Sequence, residues 1–230
     1  MFYDIKRLYG NKLAASDGEI GHIKDFYFDD KTWVIRYVVA DTGSWLTGRL
    51  VLLSPHALGK WHEAEKLLHV ALTKQQIENG PPIESHKPVS RQYEIEYYRY
   101  YGWPAYWEGG AMWGLTGFPV VMAPSKAEIE AQVDHRDDKH LQSMRAVTGY
   151  QIHAIDGAIG AAASFVVDDQ SWAIRNLVVA TGHWYSGKEI LISTGHIKRI
   201  SYEDSTVFVD LSKAAIQRTA ENELVNTGGA

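Results

Sequence analysis

The chain has 230 residues, 45% of them hydrophobic and 22% charged, with no cysteine and a formal net charge of −5. These values suit a folded globular protein and exclude a disulfide framework and a thiolate zinc site. Residues 1–77 carry 10 Lys and Arg against 9 Asp and Glu, residues 78–145 carry 7 against 10, and residues 146–230 carry 6 against 9. No segment therefore offers the concentrated basic face that a nucleic-acid binder uses.

The opening residues Met1-Phe2-Tyr3-Asp4-Ile5-Lys6-Arg7 lack the apolar core of a signal peptide. No apolar run of about 18 residues follows that would span a membrane as a helix, and a cytoplasmic protein is expected. Asp17-Gly18 marks a hairpin, because Gly takes positive φ without cost. Ile20 to Phe28 and Trp33 to Val39 are rich in β-branched and aromatic residues and predict two strands. Asp29-Asp30-Lys31-Thr32 between them is turn chemistry. Arg49 to Leu53 and Leu67 to Ala71 predict further strands, and Thr73-Lys74-Gln75-Gln76 is a capping box that opens a helical turn.

The middle of the chain differs in kind. Gly80-Pro81-Pro82 reads as a stop and spacer, and Pro88-Val89-Ser90 offers an N-cap for a short helix over Arg91 to Tyr101, ended by Gly102 and Pro104. Tyr93, Tyr97, Tyr100 and Tyr101 fall on one side of that helix, while Ile95 and Tyr98 point away from it. Between Tyr93 and Phe118 lie 10 of the chain's 27 aromatic residues, including Trp103, Tyr106, Trp107 and Trp113. Ser125-Lys126-Ala127-Glu128 is a second capping box that predicts a short helix toward Val133, and His135 to Arg145 reads as charged and mobile.

The remainder repeats the beginning. Asp17-Gly18-Glu19-Ile20-Gly21 returns as Asp156-Gly157-Ala158-Ile159-Gly160, and Trp33-Val34-Ile35-Arg36 as Trp172-Ala173-Ile174-Arg175. Every match has the same offset: Trp172 lies 139 residues after Trp33, and Ser193 lies 139 after Ser54. The register runs without a gap from Gly10 to Ile77, so two copies of one folding unit are expected. The organisation read from this is a first barrel over 1–79, an aromatic-rich connecting segment over 80–145, a second barrel over 146–220 and a flexible tail over 221–230. The fold class is mainly β: two small closed barrels built from short, evenly spaced strands.

Asp-Gly-x-Ile-Gly, the Asp-Asp turn before Trp-x-Ile-Arg, and the closing Val-x-Leu-Ser/Thr-Lys together resemble the PRC-barrel family. That family takes in the cytoplasmic domain of the photosynthetic reaction centre H subunit and the C-terminal domain of a ribosome maturation factor. The resemblance covers both copies and is closest to stand-alone tandem PRC-barrel proteins. It implies the barrel fold, and by itself suggests a role in ribosome assembly or in association with a photosynthetic complex.

Candidate sites were weighed by whether both copies carry them, since a unique active site should appear once. Asp29, Asp30, Trp33 and Arg36 are matched by Asp168, Asp169, Trp172 and Arg175. The carboxylates and guanidinium resemble a clamp, but duplication favours a structural turn with a strand-borne Arg. None of the ten histidines has a counterpart at the offset; His62 and His69, with Glu63 nearby, are placed to meet across a hairpin, but the ligand spacing of a metal site is missing. Gly18-x-x-Gly21 lies between strands, so it is not a phosphate loop. Ser54 and Ser193 lack a local nucleophile signature, and Trp45 and Trp184 precede strands as rim or core residues.

No catalytic, cofactor-binding or metal residue is assigned. The favoured function is a non-catalytic protein-interaction or scaffold module that self-associates as a homo-oligomer, expected to be a dimer, or holds a protein partner. Its candidate interface is Tyr93, Tyr97, Tyr98, Tyr101, Trp103, Trp107 and Trp113, because Tyr and Trp dominate interface energetics. The alternative is a small-ligand binder or enzyme with its site at the junction of the barrels.

Overall fold

The computed structural model describes residues 1–81, 91–107, 111–113, 118–119, 141–185 and 187–219. The chain is mainly β, with two seven-stranded sheets and short helices. Among the described residues, no helix is long and apolar enough to cross a membrane. The expected cap at Pro88–Ser90, the helix toward Val133, His86, His135, His140, the tail 221–230 and the side chains of His183 and Trp184 lie outside the described residues.

The strands, in chain order, are β1 (Phe2–Asp4), β2 (Lys12–Ala15), β3 (Gly18–Asp29), β4 (Val34–Asp41), β5 (Leu50–Leu53), β6 (Leu58–His62), β7 (Leu67–Val70), β8 (Leu141–Ser143), β9 (Gln151–Ala154), β10 (Gly157–Asp168), β11 (Ile174–Ala180), β12 (Glu189–Ser193), β13 (Ile197–Ser201) and β14 (Thr206–Val209). One sheet runs β5-β4-β3-β2-β7-β6 with β8 added on β3. The other runs β12-β11-β10-β9-β14-β13 with β1 added on β10. No pairing among the described residues joins the two ends of either path, so each stands here as a sheet and not as the closed barrel read from the sequence.

Compactness groups Arg7–Ser143 with Gln170–Trp172 in one unit, and Met1–Lys6, Met144–Asp169 and Ala173–Ala230 in the other. We call these the first-copy and second-copy units. These limits depart from the sequence boundaries at both ends of the connecting segment. Met1–Lys6 groups with the second copy, because β1 hydrogen-bonds to β10. The connecting segment as far as Ser143 groups with the first. Nor is the stretch toward Arg145 simply a charged linker: Leu141 is buried, β8 pairs with β3, and α3 (Met144–Val147) buries Met144 and Val147. Those three apolar residues outweigh the charged ones around them.

In the first-copy unit, the long strand β3 buries Ile20, Ile23, Phe26 and Phe28, and Leu13, Val38, Leu53 and Leu68 of neighbouring strands are buried with them. Ile159, Phe165, Val167, Leu177, Val179 and Ile192 fill the second-copy core. Burying each such side chain is worth about 1.5–3 kcal/mol. Gly21 (φ 127°) and Gly160 (φ 151°) mark where backbones come closest: a Cβ at either would lie 2.0 Å from the carbonyl oxygen of Asp41 or Ala180. Trp33 and Trp172 take positive φ of 56° and 58°, uncommon for a bulky residue. The capping box at Thr73 opens α1 (Lys74–Glu78). Asp17 also accepts the Lys74 backbone N–H at 2.8 Å, as Asp156 does that of Lys213 at 2.9 Å, so the Asp of each Asp-Gly turn also holds the start of a helical segment.

Candidate functional site

The aromatic segment packs on β4 and β5 of the first-copy unit through α2 (Arg91–Tyr101) and the stretch after it. The heptad-like spacing of α2 puts Glu94 and Tyr98 four apart on one face, and Tyr93, Tyr97 and Tyr101 on another. Tyr97 reaches the end of β5, where its hydroxyl donates to the Leu52 carbonyl (3.0 Å) and accepts the Ser54 N–H (3.1 Å). The Tyr98 hydroxyl lies 3.3 Å from Ser54 Oγ. Glu94 is fully buried, and its Oε1 accepts hydrogen bonds from Tyr37 (3.1 Å) and Tyr106 (2.7 Å). Hydrogen bonds of this charge-assisted kind offset the cost of enclosing a carboxylate.

Beside it stands Arg36, whose side chain is 2% exposed. Its Nη1 donates to the Met112 carbonyl (2.8 Å) and Nη2 to Thr32 Oγ1 (3.1 Å), while Asp29 lies at 3.7 Å. The guanidinium carbon sits 3.7 Å from the ring centre of Tyr106 and 4.8 Å from that of Trp113, a cation–π arrangement made stronger by desolvation. Asp29 also accepts the backbone N–H groups of Lys31 and Thr32, so it builds the turn as well as the ion pair. In the second copy the same pair forms between Arg175 and Asp168 at 3.2 Å, with the Arg side chain 48% exposed. Asp30 and Asp169 stand outside both Arg–Asp pairs, and Asp169 is exposed.

His56 completes the cluster. Its ring stacks on Trp103 and meets Tyr98 and Trp113 edge-on at 5.7 and 5.2 Å. Ser54 Oγ accepts the backbone N–H of His56, an N-cap of the following turn. Burial pushes the phenols of Tyr37, Tyr97, Tyr98, Tyr93 and Tyr101 well above the ordinary tyrosine range. At neutral pH they are proton-bearing donors rather than bases.

Of the seven candidate interface residues, Tyr97, Tyr98, Trp103 and Trp113 are buried within the unit and Tyr93, Tyr101 and Trp107 are half-buried. Tyr98 corrects the expectation of an outward face: it is enclosed by Tyr37, Trp103, Tyr106 and Trp107. On α2 the exposed tyrosine ring is Tyr100, at 44%. Together with His56, Leu72, Gln76, Tyr101 and Trp103 it borders a cleft of about 400 Å³. Tyr100 and Tyr101 both donate to the Gln76 carbonyl, at 3.1 and 3.4 Å, which fixes this wall against α1.

The family model for the PRC-barrel domain matches residues 1–67. The PRC-barrel pattern is thus found in the first copy. No curated protein matches the chain. The PRC-barrel match ends before α2, so Glu94, Tyr98, Trp103 and the cleft's aromatic wall lie beyond it. Sequence reading passed over Tyr37, His56 and Glu94. The first two had a signal: they stand where the second copy has Asn176 and Gly195, so they are unique at matched positions. Glu94 had only its place as an acid among tyrosines. His62 and His69 do meet across the β6–β7 hairpin, with ring centres 5.2 Å apart. Among the described residues, no group of three or more His, Cys, Asp or Glu is placed to hold a metal.

Proposed function

We propose that the chain is a non-catalytic protein-interaction module built from two PRC-type β-barrels, with the cleft beside α2 as the docking site for a protein partner. The barrel form is supported by chain length. β5 and β6 end the path of the first sheet, yet only the segment Leu53 to Leu58 joins them. Five residues reach at most about 18 Å, whereas six flat strands at about 4.8 Å spacing put their ends about 24 Å apart. The sheet must curl. The same holds for β12 and β13. Support for two like barrels comes from matched bounds: β3 and β10 begin and end 139 residues apart.

The observation that carries the interaction reading is the cleft's lining. Tyr100, Tyr101, Trp103, Leu72 and two alanines make most of its wall with His56 and Gln76, and none of the lining residues is Asp, Glu, Lys or Arg. Such a surface is suited to accept apolar side chains. Tyr100→Ala is the test. Its ring is exposed enough that stability should stay within about 0.5 kcal/mol, while capture of a partner by immobilised protein should drop at least tenfold. Unchanged capture, with the variant still folded, would sink the reading.

The cleft's volume of about 400 Å³ also falls within the range of small-molecule sites, about 300–1,000 Å³, which favours a flat uncharged ligand as the second reading. A thermal shift with aromatic fragments that Tyr100→Ala abolishes, without any protein captured, would select it.

A further inference from the structure

Two strands outside the matched block obey the same offset. Phe2, Tyr3 and Asp4 of β1 lie 139 residues before Leu141, Gln142 and Ser143 of β8. Each strand pairs antiparallel with the long strand of the other copy. Phe2, Tyr3 and Asp4 face Asp168, Val167 and Val166, while Leu141, Gln142 and Ser143 face Asp29, Phe28 and Tyr27. The registers are equivalent residue for residue. The outer strands of the two copies are therefore exchanged.

One polar pair distinguishes the two slots. Ser164, itself buried, donates its hydroxyl to the carboxylate of Asp4. In the other sheet Ser143 donates to the carboxylate of Asp25 at 2.5 Å. Ser164 and Asp25 are matched positions of β10 and β3, so the Ser and the Asp trade places between sheet and outer strand. Were β1 to lie on β3, Asp4 would face Asp25, carboxylate against carboxylate. The repulsion rejects that pairing, which is how charge fixes strand register and partner elsewhere.

We propose that the outer edge of β10 is a strand-docking site addressed by the Asp4–Ser164 pair, and that a second copy of this chain can fill it. Residues 2–4 of one copy then pair with β10 of the other. The arm is suited to this. It is three residues long, anchored by buried Tyr3 and Ile5, and leaves the sheet through the short 3-10 turn Ile5–Arg7. An arm from a second copy makes the same contacts as the chain's own, so only the advantage of tethering separates the two. That advantage corresponds to an effective concentration on the order of millimolar, and it is overcome when chains refold together at high concentration. The site does not involve the cleft beside α2, so each can fail alone.

The absence of native cysteine makes the exchange directly readable. Phe2→Cys and Asp168→Cys are placed in separate full-length chains; Phe2 is 63% exposed, so its loss spares the core. The two are mixed, denatured, refolded together at high concentration and oxidised. A disulfide between the two different chains, identified by mass, reports exchange. Adding Asp4→Ala to the Phe2→Cys chain should lower the yield about tenfold, since the acceptor's own intact arm competes for the slot and a hydrogen bond to a charged group is lost. Ser164→Asp in the acceptor should lower it too, and Asp4→Ser in the donor should then restore it. No mixed disulfide while both chains regain native circular dichroism, or a yield indifferent to Asp4→Ala, would overturn the proposal.

Discussion

The β4–β5 face of the first copy and the β11–β12 face of the second share one backbone plan and differ in what covers them. On the first, Arg36, Leu52, Ser54 and His56 are all buried. At the matched positions of the second, Arg175, Leu191, Ser193 and Gly195 are exposed. The Asp–Arg pair is made on both, but only on the first does it lie beneath Tyr106 and Trp113. The same two residue types thus form a solvated ion pair in one place and the centre of a buried polar cluster in the other. The covering segment makes that difference, and the residues that changed with it are Tyr37 against Asn176 and His56 against Gly195.

This contrast can be broken most directly at the arginines. Arg36→Ala leaves buried Asp29 without its ion-pair partner, and should cost about 3–5 kcal/mol. Arg175→Ala should cost less than about 1 kcal/mol. Thermal or denaturant unfolding of the two variants is the check, and equal costs would mean that the covering segment adds nothing to the pair. A substitution at a shared feature should behave the opposite way. Gly21→Ala and Gly160→Ala each drive a Cβ into a backbone carbonyl, and each should destabilise by about 3 kcal/mol. A large difference between them would show that the two close approaches are not equivalent.

Alkaline pH sharpens the comparison by a smaller amount. Tyr37, Tyr93, Tyr97, Tyr98 and Tyr101 of the first-copy unit all have folded values raised above that of an unfolded tyrosine, about 10. A raised folded value means that their contribution is fully present below about pH 10 and is lost as pH rises through the folded values. In the second-copy unit, Tyr3 shares this shift, from burial and then from Asp169 and Asp168. The first-copy unit should therefore lose stability first as pH climbs above about 10, with tyrosinate absorbance rising only as it unfolds. Free titration of these phenols near pH 10 in the folded chain would contradict the burial described here.

Much of the fold was legible in the sequence because it depends on local chemistry. The Asp-Gly turns, the Asp29 turn, the capping box at Thr73 and the bounds of α2 each follow from residues within a few positions of one another. The candidate site was legible only in part. Composition located the aromatic segment but placed Tyr98 outward, since helical periodicity tells which residues share a face and not which surface meets it. A helix with rings on several faces can be enclosed on all of them, as Tyr37, Tyr106 and Trp107 enclose Tyr98.

By itself, then, the sequence determined the repeat, its offset, its turns and the position of four strands in each copy, because those rest on side-chain period and backbone preference. Only the tertiary structure decided that β1 and β8 change places between the copies, that Glu94 and Arg36 share a buried cluster, and that Tyr100 alone of the α2 tyrosines stays exposed. Those outcomes depend on pairings between residues tens to more than a hundred positions apart. Pairing at such range is settled by complementarity of shape and charge across the folded chain, which no local pattern encodes.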